Sequence, residues 1–582
     1  MKYTLGNVVK TFLVRTFAGQ NSRKFVKEAL YMLIALELFL AYFYTLDLFT
    51  PSYVILLRGI SWVKVYRLGL LDKGFYGLLP LLAISLTLGI CAYTTGGFRE
   101  IRASRLAGYV LASLTLVYCL PLIYWIAYML DPLLLDQSLK PYRWISEPDA
   151  GLFHIYAPTY LLLLLVTLYA WLPQIIGGAF KGRIRLKIRC EKALYVAGNN
   201  HPLNSMLMEK LGFASALLLS IVLPLIPYLP TINPDFKPAS VDIRYYSSWL
   251  DNMLKVDCWN AIEYAFYGVD NGNRPLYLIL LYSLTRLGIP REFVLNFEAL
   301  FLAPLFTLST YFAAKSLSGS SSYASLASLA GVLGFNMTVG MFGGFFAAWA
   351  ALSLFYTCIA LTPSLMKRSL KGLMGCILAS IVMLYTHPWT WCLLICILTI
   401  YLTVSTFETL KSSRFKINTY ILTVLIINAT VELIKNMVTP RYGGLESSVQ
   451  ALSKNIELGL DQLMGFRSIN RISTTYLGGL LYNPLHILLA LIGIISFLKK
   501  KDKNSKLILI WTATISTLFL FGTLAFKARL LLFAPFPLLI AEGLWALSRL
   551  LARFDSKLPK LLYTFFITSS LTYTVRALCN LI

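Results

Sequence analysis

Apolar runs of about 20 residues recur along this chain with short polar or basic breaks between them, and a helix needs about that length to cross a bilayer's hydrocarbon core. Counting a few shorter runs that keep the alternation, there are about fifteen. They fall at 29–49, 75–93, 106–130, 152–176, 211–230, 294–317, 323–335, 344–361, 370–385, 389–406, 420–433, 485–498, 507–525, 530–547 and 561–578. The pattern predicts an all-α polytopic membrane protein.

The breaks orient it. The 181–210 connector carries seven bases against two acids. Lys367, Arg368 and Lys371, then Lys411, Arg414 and Lys416, then the basic stretches 499–506 and 549–560, fall on that same side if every run crosses. Positive charge gathers on the cytoplasmic side, so the N-terminus is expected there, in a plasma-membrane protein. Arg58, Lys64, Arg67 and Lys73 fall outside on this count. That leaves either an interfacial amphipathic helix over 53–71 or a different count of the first runs.

Composition agrees. Of 582 residues, 57% are hydrophobic and 14% charged, which excludes a soluble globular protein. The net charge of +25 sits in the breaks, where it serves topology rather than nucleic-acid binding. The nine cysteines make no disulfide framework, since most lie in apolar runs (Cys119, Cys358, Cys376, Cys392, Cys396), and Cys258 in a candidate external loop has no obvious partner. The first run is too long for a signal-peptide core and lacks a small-x-small cleavage site, so it is read as a retained anchor.

The basic connector divides the chain into an N-terminal module, residues 1–200, and a core, residues 201–582, with about four and about eleven spans. There is no internal repeat and no low-complexity tract. In the core two external loops are long, 231–293 and 436–483, and function is sought there.

The first begins with S-V-D-I-R-Y-Y-S-S-W-L-D-N-M-L. On a helix Asp242, Tyr245, Tyr246, Trp249, Leu250 and Met253 share one face. Tyr and Trp favour the headgroup level, so this helix is expected to lie along the membrane surface. Asp242 then either faces the outer mouth of the bundle or serves only as the helix N-cap. Further on, 270–273 is a turn cluster, Pro275 suits a first helical turn, and Gly288 with Pro290 ends the helix. A helix over 275–287 is about 20 Å long, too short to cross. Arg274 at its start either holds a phosphate or pairs with Asp270.

These residues resemble the GT-C superfamily of membrane glycosyltransferases, in an archaeal-type form that uses polyprenyl-phosphate (dolichyl-phosphate) sugars. The resemblance rests on Asp242 early in a long first external loop, on the surface helices, and on Arg274-Pro275-Leu276-Tyr277. Leu384-Tyr385-Thr386-His387-Pro388-Trp389-Thr390 at an external helix end and F-K-A-R-L-L-L-F-A-P-F-P over 526–537 agree with it. It covers residue 211 to the C-terminus. Two positions depart from the family: residue 243 is Ile where many members have a second acid, and the second external loop, N-M-T-V-G-M-F-G-G over 336–344, has none of the acids that bind a metal in other members. No metal site and no cofactor is therefore expected.

The resemblance implies inverting transfer of a hexosyl or pentosyl group from a polyprenyl-phosphate donor to a protein, lipid or glycan acceptor on the extracytoplasmic face. Such transfer needs a base, cations for the phosphate leaving group and a groove for the lipid. Asp242 is the expected base. Arg274, Lys527 and Arg529 are the expected phosphate ligands, with Arg441, Arg467 and Arg471 in reserve. Arg244, Tyr245, Tyr246, Tyr277 and His387 are expected around the donor; His387 is otherwise a helix cap, and the aromatic residues otherwise an interfacial belt. Glu298 is expected near the same cavity, and Glu542, deeper, in a structural pair. Competing readings are a transporter or lipid flippase, an inactive scaffold of the same fold, and an enzyme acting on a polyprenyl diphosphate.

Overall fold

The structure, a computed structural model, describes scattered residues between 107 and 130, then residues 206–268, 274–411, 417–438, 483–500, 502–519, 524–579 and 581. The expected spans 29–49, 75–93 and 152–176, the stretch 53–71, the connector as far as 205, Asp270, and Arg441, Arg467 and Arg471 lie outside these residues. The chain divides into two compact units, one of residues 1–122, 140–197 and 547–569, the other of residues 123–139, 198–546 and 570–582. The candidate site lies wholly within the second.

Among the described residues the regular structure is entirely helical. Helix α1 (Met206–Val222) runs into a 3-10 turn (Leu223–Tyr228). Short helices follow: α2 (Ile243–Leu254), α3 (Cys258–Glu263) with a π turn (Tyr264–Gly268), α4 (Pro275–Arg286) and α5 (Arg291–Asn296). Then come α6 (Ala299–Ser318), α7 (Ser321–Val332), α8 (Phe335–Gly343), α9 (Phe346–Met366), α10 (Leu370–Thr386), α11 (Pro388–Lys411) and α12 (Thr419–Val438). The last are α13 (Pro484–Lys500), α14 (Lys503–Phe519), α15 (Leu524–Phe533), α16 (Phe536–Ala552) and α17 (Leu558–Cys579). Side-chain caps start several of them: Ser320 accepts from the Tyr323 amide, Asn418 from Tyr420 and Ile421, and Asp502 from Ser505.

The described residues of every apolar run expected from residue 211 onward lie mostly on these helices. Six helical stretches among the described residues are long and apolar enough to cross a membrane: Lys210–Tyr228, Arg291–Ser318, Ser321–Gly343, Phe346–Met366, Pro388–Glu408 and Thr419–Met437. The pair Phe526–Phe533 and Phe536–Ala552, bent by 53°, makes a seventh if it is one span. Over the same part of the chain the apolar pattern suggested about eleven. Helices α10, α13, α14 and α16 have 17 residues each, which is about 25 Å, shorter than a typical hydrocarbon core of about 30 Å.

One expected loop is a helix. The stretch 336–344 belongs to α8, which continues from α7 after a break at Leu333 and Gly334 and buries Asn336, Met337, Thr338 and Val339. Asn336 is buried there, its amide donating to the Leu532 carbonyl at 2.9 Å. The helix ends at Gly344, whose φ of +67 glycine adopts without strain.

The two short helices expected in the first long loop form where the pattern placed them. Helix α4 begins with Pro275 at its first turn and is closed by Gly288 at φ +95. In α2 the face turned into the protein is Ile243, Tyr246, Leu250 and Met253. The expected stripe is therefore split: Tyr245 is 46% exposed, and its ring stacks on Trp249 at 6.1 Å along the helix edge.

Helices α13 and α16 cross with backbone against backbone. A Cβ at Gly493 would lie 2.0 Å from the Leu539 carbonyl oxygen, and one at Gly543 would lie 2.0 Å from that of Leu489. Small residues at such crossings let two backbones meet inside an apolar bundle. Glu542 beside Gly543 makes the structural pair expected of it, accepting from Ser496 and from Lys500 Nζ at 2.7 Å. Gly493→Ala and Gly543→Ala are each expected to destabilise the detergent-solubilised protein by about 1–3 kcal/mol. The double variant should lose less than the sum, because the first substitution already separates the helices. Thermal unfolding of the three variants checks this.

Candidate functional site

Asp242 is placed by two helix ends. The last carbonyls of a helix have no partner within it, and at the end of α8 those of Met341 and Phe342 accept from the Ser240 hydroxyl (2.5 Å) and the Val241 amide (3.1 Å). The first amides of α9 are equally orphaned, and Ala347 N–H points to the Tyr246 hydroxyl at 3.4 Å. The start of α2 thus fills the corner between α8 and α9. At that corner a Cβ on Gly344 would stand 3.1 Å from the Asp242 amide nitrogen and 3.2 Å from its Cβ.

Asp242 occupies the N-cap position of α2, but its side chain makes no cap hydrogen bond. Its backbone, at φ −85 and ψ −8, is helical and not in the extended conformation from which a capping residue reaches back to the helix amides. The simple capping role is therefore absent, and the half-buried carboxyl is left to the site. Burial raises its pKa above the usual carboxylate value, while Arg529, Arg274 and Arg244 pull it down.

The arginines come from three elements. Arg274, at the N-cap of α4, donates from Nη1 to the Tyr246 hydroxyl at 3.0 Å and lies over the rings of Trp249 (5.0 Å) and Tyr246 (5.6 Å). Arg529, on α15, is exposed and lies 5.4 Å over Phe345. Its helix is tied to α8 by the Asn336 bond and to α14 by Trp511, whose indole N–H donates to the Phe533 carbonyl at 2.9 Å. Arg244 lies over the neighbouring Tyr245 ring and donates to its hydroxyl.

His387 stands between α10 and α11 within reach of the same charges. Its Nδ1 receives the Thr390 amide at 3.4 Å and is 2.8 Å from the Thr390 hydroxyl. A backbone N–H only donates, so Nδ1 accepts and the ring proton belongs on Nε2. Burial, then Arg274 and Arg529, push the imidazole pKa well below its usual range. His387 thus caps the start of α11 through Nδ1, one of the two roles the sequence left open for it.

Tyr246 and Tyr277, expected around a donor, are only 1% and 3% exposed. Tyr246 spends its hydroxyl on Arg274 and Ala347, and Tyr277 donates to Glu298. Both lie beneath the site and support it. Lys527, expected beside Arg529, is buried over the Phe519 ring, since residues two apart on a helix face different ways. The structure brings Asp242, Arg244, Arg274, His387 and Arg529 into one electrostatic group. Gly344, Thr390 and Asn336, which shape that group, fall in stretches quoted for other reasons and were given no role from the sequence; a G-G pair closing an apolar run was the one local signal, for Gly344.

Among the described residues no three His, Cys, Asp or Glu side chains gather as metal ligands. The arrangement suits an anion held by arginines and an Nε2–H, next to a carboxylate able to take a proton. No protein-family model matches the chain, and no curated protein matches it.

His387 is expected to remain neutral at pH 6, because its pKa lies below the usual imidazole value. Nitrogen-15 NMR of histidine-labelled protein, with His387→Gln assigning the signal among four histidines, should give an Nε2–H tautomer there. A protonated ring at pH 6 contradicts the expectation.

Proposed function

We propose that this chain is an integral membrane glycosyltransferase of the GT-C kind, moving a sugar from a polyprenyl-phosphate donor to an acceptor on the extracytoplasmic face. The observation that carries the proposal is the Asp242 carboxyl, uncommitted to capping at a helix start and within the field of Arg244, Arg274 and Arg529, the last two of which also act on His387. The apolar helices around it supply the environment that a lipid-borne substrate requires. The finer features of the reading, about fifteen spans with a cytoplasmic N-terminus, rest on the apolar pattern and the basic breaks.

In this mechanism the acceptor's oxygen or nitrogen attacks the anomeric carbon from the side opposite the phosphate, and the new bond forms as the bond to the phosphate oxygen breaks. Asp242 takes the acceptor's proton. The departing polyprenyl phosphate carries the bonding pair away, and Arg274, Arg529 and the His387 Nε2–H stabilise its charge. Arginine is suited to this work because it stays charged when partly desolvated. Partial burial serves the base as well, since a raised pKa makes its carboxylate a better proton acceptor.

Membranes containing the wild-type protein are expected to transfer label from a radiolabelled polyprenyl-phosphate sugar, and Asp242→Asn to lose about 10²- to 10⁴-fold. Equal transfer by the two would remove Asp242 from the mechanism. If the wild type transfers no donor but moves solute across vesicles, the transporter reading replaces this one. Chelator should leave transfer unchanged if arginines alone carry the phosphate.

The pH profile gives a second test. The base works only when ionised, so kcat/KM should fall as pH drops through an Asp242 pKa above the ordinary 3.8. Arg244 lowers that pKa, so Arg244→Gln should move the acid limb to higher pH. A shift to lower pH would contradict the assignment.

A further inference from the structure

Among the described residues of the second unit three glutamates are buried in or at the ends of apolar helices, and two have a lysine. Glu542 pairs with Lys500, and Glu432 with Lys435 at 2.6 Å. Glu298, 5% exposed at the break between α5 and α6, makes no ion pair among the described residues. Its Oε2 accepts from the Tyr277 hydroxyl, and its Oε1 has no hydrogen-bond donor among the described residues. An acid in such a place is costly unless something depends on it.

What depends on it leads to the site. Tyr277 sits in the first turn of α4, whose N-cap is Arg274, so fixing the phenol fixes the start of that helix. The Tyr277 ring also meets the Tyr246 ring edge-on, with centroids 5.9 Å apart. Tyr246 in turn accepts from Arg274 Nη1. Both routes end at the same guanidinium.

We propose that Glu298 is a positioning residue for Arg274, acting by hydrogen-bond acceptance through Tyr277 and Tyr246, and not a charge or a proton carrier in the reaction. The proposal rests on the reading of Arg274 as a ligand of the leaving phosphate. An amide oxygen accepts a phenol proton as a carboxyl oxygen does, so Glu298→Gln should keep most of the activity. Glu298→Ala and Tyr277→Phe should each lower kcat/KM about 10- to 100-fold, the scale of one lost charge-assisted contact at the phosphate. In an Arg274→Gln background neither should cost more than about twofold, because the group they act through is gone.

A second measurement is independent of sugar transfer: the rate at which phenylglyoxal modifies Arg274, followed by peptide mass spectrometry. Glu298→Ala and Tyr277→Phe should raise it severalfold over wild type, and Glu298→Gln should not. An inactive Glu298→Gln with unchanged Arg274 reactivity would overturn the proposal in favour of a charge or proton role. So would unchanged reactivity in Tyr277→Phe, a variant that leaves the buried carboxyl in place if Glu298→Ala fails to fold. If Arg274 responds as expected but the wild type transfers no sugar, the transferase reading falls and the positioning role stands.

Discussion

Helices α8 and α9 meet at Gly344, and the ends they leave there demand hydrogen-bond partners. Inside an apolar bundle, unpaired carbonyls at one helix end and unpaired amides at the next are costly because little water reaches them. The start of α2 meets part of that demand: Ser240 and Val241 cover the Met341 and Phe342 carbonyls, and the Tyr246 hydroxyl receives Ala347. Once those three contacts form, Asp242 has one place to be. Its backbone is held in a helical conformation, its side chain is drawn away from capping, and the carboxyl faces the arginines.

The same economy runs through the polar groups around the site. Tyr246 satisfies a helix end, orients a guanidinium and lends it a ring face. Thr390 and His387 close one helix and open another while setting the imidazole tautomer. Asn336, deep in α8, fixes the helix that carries Arg529. Each ties the site to a helix end.

Much of this was legible in the chain. The apolar runs located the helices from residue 211 on, because a segment that must bury its backbone in lipid has to be both apolar and helical. Pro275 and Gly288 marked α4, and the need to compensate a buried acid foretold that Glu542 would be paired, though not with which residue. The number of crossings was less legible: run length alone does not separate a helix that spans from a short or bent one such as α10 or the α15–α16 pair. The face of α2 was misjudged by one position for a related reason, since Tyr245 and Tyr246 both fit an amphipathic stripe and only packing against α9 chooses between them.

What the sequence by itself determined is therefore the class and its ingredients: a helical chain rich in membrane-capable segments, with an aspartate, an arginine before a proline and a histidine before a proline at helix boundaries. The periodicity of apolar residues and the chemistry of helix ends are local, and local patterns survive in a sequence. The tertiary structure decided which of those boundary residues meet. It brought Arg274 and Arg529 to bear on both Asp242 and His387 across long stretches of chain, sent Lys527 elsewhere, and placed Tyr246 and Tyr277 underneath the site. Those outcomes depend on which helix ends must share partners, and that is settled only when the helices pack.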